Sequence, residues 1–171
     1  DMAYALCHLF KNHNYNSSEH CLAVSKPGLR RKFLKKKPAF HDTGVPLVDL
    51  EDAITISDII ILAIPATALK VFLGKHFATM NEKILVDVTN SSIRGEDLQA
   101  MLGLTETLWV KAFNDNGAVD LLSDKPHSKK KTVTTVCGSK LEAVYEVKRF
   151  AEEAMGFAVK IVPCELYQKI A

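Results

Sequence analysis

Short apolar segments alternate with amphipathic ones along nearly the whole chain. Residues 58–64 read DIIILAI and residues 83–88 read KILVDV. Such continuous β-branched runs are typical of strands that a parallel sheet buries on both faces. Residues 67–80 and 141–155 place apolar side chains three and four positions apart, which predicts amphipathic helices. The order of these segments predicts an α/β protein with helices packed on a mostly parallel sheet.

The remaining segments extend the same alternation. Met2, Leu6 and Phe10 recur at helical spacing, so the chain opens inside a helix. Ser139 and Glu142 form the capping box expected at the start of the helix over 141–155. The fold predicted is a doubly wound, Rossmann-type sheet with helices on both faces. Further strands are predicted at 21–25, 45–48, 107–113, 132–137 and 157–162, and further helices at 29–37 and 97–102.

A dinucleotide-binding sheet normally carries a glycine-rich phosphate loop between its first strand and first helix. No G-x-G-x-x-G occurs among the 171 residues, and the natural position of this loop falls immediately before Asp1. A chain of this length suits one domain. We therefore expect residues 1–171 to form a single dinucleotide-binding domain that is incomplete at its N-terminus, without its first strand and glycine loop.

The end of the strand over 21–25 indicates which dinucleotide is bound. Domains that bind NAD place an Asp or Glu there to accept a hydrogen bond from the ribose 2′-hydroxyl. Here the strand ends in Ser25 and Lys26, and Arg30 and Arg31 follow one helical turn later. A hydroxyl with cations holds a 2′-phosphate through charge-assisted hydrogen bonds, which favours NADP(H). The alternative is that these cations form a solvated surface without a ligand.

Three other strand ends carry small or polar residues where a ligand is expected. The chain leaves one strand through Ala63, Ile64 and Pro65. The proline allows the backbone to approach a ribose or nicotinamide closely, although an ordinary strand-to-helix turn fits the same residues equally well. Asn90 and Asn114 each follow a strand, and an Asn side chain can both donate to and accept from a carboxamide. Asparagine also favours turns for local reasons.

Composition excludes several classes of function. The formal net charge is only +2, so the overall charge gives no reason to expect binding to nucleic acid. The histidines show no spacing typical of metal ligands, and no metal site is expected. The four cysteines are far apart, which suits reduced thiols in the cytoplasm. The longest apolar run, residues 59–66, is too short to span a bilayer.

Four short stretches together resemble one family of reductases. They are KILVDVTN at 83–90, VKAFN at 110–114, VCG at 136–138 and AMGF at 154–157. Their order and spacing resemble the cytosolic oxidoreductase domain of the six-transmembrane (STEAP) metalloreductases. They are also similar to the archaeal deazaflavin-dependent NADP reductases. The resemblance implies hydride transfer from NADPH to a flavin such as FAD or to a deazaflavin, and onward to ferric or cupric ions in the membrane-bound members.

The resemblance also implies roles for individual residues. In the family a Gly-Thr-Gly loop precedes the first helix, so Asp1 and Met2 fall beside the cofactor. Phe113 is placed to pack a nicotinamide or flavin ring, although a lone aromatic residue is more often part of the core. The resemblance leaves open whether a membrane reductase domain accompanies this one in a longer protein, and whether the protein forms a homo-oligomer. It identifies no catalytic side chain. The implied cofactor residues are Asp1, Met2, Ser25, Lys26, Ala63, Ile64, Pro65, Asn90, Phe113 and Asn114.

Two other functions fit the pattern. One is the cofactor domain of a substrate-specific NADP dehydrogenase, which would need a following helical domain to complete its substrate site. The other is a Rossmann-type binding or regulatory module without catalysis, which would not need a pyrophosphate cradle.

Overall fold

The computed structural model describes residues 2–13, 20, 22–24, 28–90, 97, 100, 108–122 and 132–170. Strands and helices alternate along these residues as the hydrophobic pattern predicts. The strands are β1 (Leu22–Val24), β2 (Leu47–Asp49), β3 (Ile59–Leu62), β4 (Ile84–Asp87), β5 (Leu108–Ala112), β6 (Val133–Gly138) and β7 (Ala158–Ile161). The helices are α1 (Met2–Asn12), α2 (Leu29–Lys36), α3 (Leu50–Ile56), α4 (Ala66–His76), α5 (Ala118–Leu121), α6 (Leu141–Met155) and α7 (Cys164–Ile170).

The strands form two sheets. β1 and β2 pair in parallel, and five strands form a second sheet in the order β3-β4-β5-β6-β7. All neighbours in the larger sheet are parallel except β5 and β6, which run in opposite directions. The architecture is therefore the mostly parallel, Rossmann-type α/β fold that the alternation of strands and helices predicts.

Helices cover both faces of the larger sheet. Neighbouring residues of β4 point to opposite faces, so Leu85 joins one hydrophobic cluster and Val86 the other, and both are fully buried. The cluster around Leu85 includes Leu69 and Leu73 of α4. The cluster around Val86 includes residues of α1 and α6. This burial on both faces explains why the sequence of β4 is apolar without polar alternation.

Two details differ from the sequence-based expectations. α4 ends at His76 and continues as a 3-10 turn over Phe77–Thr79, whereas one helix was predicted to residue 80. The predicted capping box is wrong, because α6 begins after Lys140, whose side chain makes no capping hydrogen bond. Lys140 has no acceptor atom to offer the first helical N–H groups. Most of the helix predicted at 97–102 lies outside the described residues.

The end of α6 follows its prediction. Gly156 adopts φ +70 at the C-cap, and a Cβ there would meet the His13 ring within 2.2 Å. Only glycine accommodates both the left-handed backbone and this close approach. Within the residues described, no helix is long and apolar enough to cross a bilayer.

Candidate functional site

The carboxyl ends of three parallel strands lie side by side at one edge of the larger sheet. Leu62 of β3 is in register with Asp87 of β4, and Asp87 is in register with Lys111 of β5. Ligands of open α/β sheets bind at this edge. The segments that leave the sheet there contain the predicted cofactor residues Ala63, Ile64, Pro65, Asn90, Phe113 and Asn114.

A buried ion pair joins two of these strand ends. The Nζ atom of Lys111 lies 2.8 Å from Oδ2 of Asp87, and the two side chains are 14% and 0% exposed. The other carboxylate oxygen of Asp87 accepts the backbone N–H of Thr89 at 2.8 Å. Lys111 also donates to the backbone carbonyl of Thr89. One ion pair therefore holds both the N–H and the C=O of Thr89.

Asn114 meets the same carbonyl from the end of β5. Its Nδ2 donates to the Thr89 carbonyl oxygen at 2.7 Å. Since a carbonyl can only accept, this contact orients the side-chain amide and turns Oδ1 away from Thr89. Oδ1 is buried and accepts no hydrogen bond from the described residues. An unsatisfied buried acceptor costs about 1–3 kcal/mol, so a ligand that donates to it regains free energy once the atoms that cover Oδ1 move aside.

The backbone turns sharply just before Asn114. Phe113 has φ +63, a left-handed conformation that is rare for an aromatic residue and is often found at functional sites. Its side chain is fully buried, with its ring centroid 5.5 Å from that of Phe157. The ring thus lies in the core, which is the alternative given above for a lone aromatic. What Phe113 contributes at this edge is the turn that presents Asn114.

Helix α7 supports this turn from the far end of the chain. The hydroxyl of Tyr167 accepts the backbone N–H of Asn114 at 3.2 Å, and the Tyr167 side chain is buried. Burial raises the pKa of this hydroxyl well above its ordinary value, and the charge of nearby Asp115 adds to the rise. Tyr167 therefore stays protonated.

Asp115 ties the turn to the antiparallel strand β6. Its Oδ1 accepts the hydroxyl of Thr134, and its Oδ2 accepts both the N–H and the hydroxyl of Thr135, each at 2.8 Å. Because β6 runs against β5, its amino end lies at the edge where β5 ends. Residues 113–115 are consequently fixed on both sides.

The other predicted strand-end residues are half-buried or exposed at this edge. Ala63 and Ile64 are half-buried, and Pro65 is exposed at the N-cap of α4. Asn90 is exposed. Their location leaves them accessible to a ligand, and their roles stay predictions.

The basic helix α2 follows β1 in the smaller sheet. Arg30 and Arg31 are exposed in its first turn, and neither forms an ion pair with a described carboxylate. A groove of about 450 Å³ runs between β1 and α2. Ser25, Lys26 and Asp1 lie outside the described residues, while Met2 opens α1 and packs half-buried against the core. The groove is lined by Ala23, Val24, Leu29, Lys32, Phe33 and Lys36.

Two thiols lie close to the same edge. Cys137 of β6 is in register with Lys111, and Cys164 lies at the start of α7. The neighbouring Cys164 thiol and burial raise the pKa of Cys137 far above its ordinary value, so the thiol stays protonated. In the part of the chain that the structure describes, no three His, Cys, Asp or Glu side chains cluster to hold a metal ion.

Sequence reasoning missed three members of this site, namely Asp87, Lys111 and Tyr167. Asp87 is the one charged residue within β4, and a carboxylate inside an otherwise apolar strand needs a partner. The sequence therefore contained a signal that Asp87 has a partner. Its partner lies 24 residues away and Tyr167 lies 53 residues from Asn114, distances over which sequence pattern carries no information.

Residues 1–91, more than half of the chain, match a known protein family. The matching family is described as NADP oxidoreductase, coenzyme F420-dependent. No match was found among curated protein sequences.

Solved structures share the fold at low sequence identity. A hypothetical protein from Sinorhizobium meliloti superposes with a TM-score of 0.73 at 20% identity, over 95% of this chain and 80% of its own. A protein from Arthrobacter sp. FB24, proposed to be an F420-dependent NADP reductase, gives 0.71 at 16% identity, over 96% and 84%. The pyrroline-5-carboxylate reductase of Coxiella burnetii gives 0.67 at 15% identity, over 94% of this chain but only 55% of its own.

Proposed function

Because the chain belongs to the coenzyme F420-dependent NADP oxidoreductase family and is thus an NADP-dependent oxidoreductase, we propose that it orients the nicotinamide of NADPH against a flavin-type acceptor. The acceptor we propose is a deazaflavin of the F420 class, with FAD as the second choice, since the family is described by its dependence on F420. When bound, NADPH supplies a hydride that such a ring accepts.

One observation carries the placement of the nicotinamide, the unsatisfied Oδ1 of Asn114. The carboxamide of a nicotinamide has an N–H that can donate to this oxygen. Asn114 lies at the sheet edge where dinucleotides bind in folds of this type. Ala63, Ile64, Pro65 and Asn90 leave the sheet at the same edge and would border the ribose and ring.

The cations around α2 are proposed to bind the 2′-phosphate of NADPH. Arg30 and Arg31 are exposed in the first turn of the helix and form no ion pair with a described carboxylate. Ser25 and Lys26 precede this helix by a few residues and complete the proposed cluster. A phosphate dianion gains charge-assisted hydrogen bonds from such groups, whereas the bare 2′-hydroxyl of NADH does not.

The chain's residues are proposed to bind and orient rather than to transfer protons. Asn114 orients the carboxamide, and the fold holds two rings face to face, which lowers the entropy cost of the reaction. No acid or base is required for a hydride that passes directly between rings. The resemblance to membrane metalloreductases implies that the reduced ring then passes electrons to ferric or cupric ions. The same assay can test this further step.

Calorimetric titration of the full-length protein with NADPH and NADH tests the cofactor. We expect NADPH to bind at least about tenfold tighter, and Lys26→Ala and Arg31→Ala to lose most of that difference. Lys35→Ala, at the other end of α2, is the matched control and should keep it. If the protein binds neither nucleotide, the proposal of an NADPH-dependent enzyme fails. A binding module without catalysis then becomes the better account.

Anaerobic absorbance measurements test the acceptor. NADPH should reduce F420 or FAD in the presence of the protein, and ferric or cupric ions can then be added to follow onward transfer. If NADPH binds but reduces neither ring, the substrate-specific dehydrogenase becomes the better account.

A further inference from the structure

The ion pair between Asp87 and Lys111 differs from two ion pairs that join described residues of α6. Those pairs, Lys148 with Glu152 and Arg149 with Glu146, lie one turn apart on the surface of α6. Asp87 is fully buried and Lys111 nearly so, and they come from different strands. Burying two charges removes their hydration, and apolar side chains of similar volume often stabilise a fold as well or better.

Stability alone therefore gives no reason to place this pair in the sheet. Its contacts suggest another role, because both backbone groups of Thr89 bind to it. Asp87 accepts the N–H at 2.8 Å, and Lys111 donates to the C=O. The peptide groups on the two sides of Thr89 are held in one orientation by two opposite charges.

The orientation of Thr89 is passed on to Asn114. The same carbonyl oxygen accepts Nδ2 of Asn114 at 2.7 Å, which determines which side of the amide faces Thr89. Without Lys111, the Thr89 carbonyl could rotate, and the Asn114 amide could turn over and present a donor in place of its acceptor. The ion pair thus acts on a ligand only through Thr89 and Asn114.

We propose that Asp87 and Lys111 are positioning residues that hold the Asn114 acceptor toward an amide N–H of the ligand, the carboxamide of the nicotinamide. This inference rests on the proposed function, since it needs the nicotinamide to bind at Asn114. It assigns the pair to the nicotinamide end of the cofactor alone, so the adenosine end should bind equally well without it.

The test compares NADPH with 2′-phosphoadenosine 5′-diphosphoribose, which has the same adenosine end but no nicotinamide. The variant Asp87→Asn/Lys111→Met removes both charges together and leaves none unpaired in the core. We expect its affinity for NADPH to fall at least about tenfold and its affinity for the fragment to stay within about twofold of wild type. Lys148→Met/Glu152→Gln removes a surface pair and should change neither affinity.

Asn114→Leu provides a second variant that leaves the ion pair in place. It should show the same selective loss, and adding it to the charge-neutral variant should cause little further loss, because both act through one hydrogen bond. If the variants weaken both ligands equally or neither ligand, the positioning role is overturned. If wild-type protein binds neither ligand, the proposed function fails; if it binds both with equal affinity, the nicotinamide does not use Asn114, and the inference fails alone.

Discussion

The backbone N–H of Asn114 donates to the hydroxyl of Tyr167 across 53 residues of sequence, at 3.2 Å. This bond connects the turn after β5 to the last helix of the chain. Tyr167→Phe would keep the ring in the core but leave a part-buried N–H without its acceptor. We expect the free energy of unfolding to fall by about 1–2 kcal/mol, measured by urea denaturation. Tyr145→Phe, on a side chain that is 57% exposed, should change it by less than about 0.5 kcal/mol.

The raised pKa of Tyr167 predicts a dependence of stability on pH. Above the ordinary value of 10.0 the unfolded chain releases the Tyr167 proton, while the folded chain retains it. The unfolded state then binds fewer protons, so stability decreases as pH rises. The advantage of wild type over Tyr167→Phe should shrink by about 1.4 kcal/mol per pH unit above pH 10. A constant difference between the two proteins from pH 8 to 11 would contradict the shift.

Lys83 closes the end of α3 from the neighbouring strand segment. Its Nζ donates to the carbonyl oxygens of Thr55 at 3.1 Å and Ser57 at 2.6 Å. Cations stabilise these exposed carbonyls at helix C-termini. Lys83→Met should lower the free energy of unfolding by about 0.5–1.5 kcal/mol, measured by thermal denaturation. Lys70→Met, on the exposed surface of α4, serves as control, and an equal loss there would rule out the capping role.

Gly138 lies at the end of β6 where a side chain has no room. A Cβ would lie 2.7 Å from the Trp109 carbonyl oxygen and 2.9 Å from a methyl of Val144. Because the first contact is backbone, relief needs a shift of β5 against β6, so Gly138→Ala should destabilise by about 1–3 kcal/mol. Gly74→Ala, in the exposed part of α4, should instead stabilise by up to about 1 kcal/mol. Denaturant midpoints of the two variants on opposite sides of wild type would bear out this contrast.

The strands and the two-faced packing were predictable because burial on both faces favours continuous apolar runs such as the one that forms β4. The direction of β6 was not, since a period of two residues is the same in parallel and antiparallel strands. The left-handed Phe113 also had no local signal, because an aromatic residue rarely adopts that conformation.

The candidate site was predictable only in outline. That strand ends such as Asn114 gather at one edge follows from the alternation of elements. How Asn114 is held depends on Asp87, Lys111 and Tyr167, which come together through the register of strands and the docking of α7. Hydrogen bonds between distant segments leave no periodic trace in a single sequence.

The register of the parallel strands has a consequence for how the chain folds. Leu22 pairs with Leu47, Ile59 with Ile84, Ile84 with Leu108, and Val133 with Ala158, so every parallel pair closes a loop of almost the same length. The entropy lost on closure depends on the logarithm of loop length and is therefore nearly equal for all four. Loop length therefore cannot decide which pair of strands forms first. The order must depend on how much apolar side-chain surface each pair buries. The earliest contacts should form around β4, whose Leu85 and Val86 are fully buried on opposite faces of the sheet, and the short β1 and β2 should join the folded structure last.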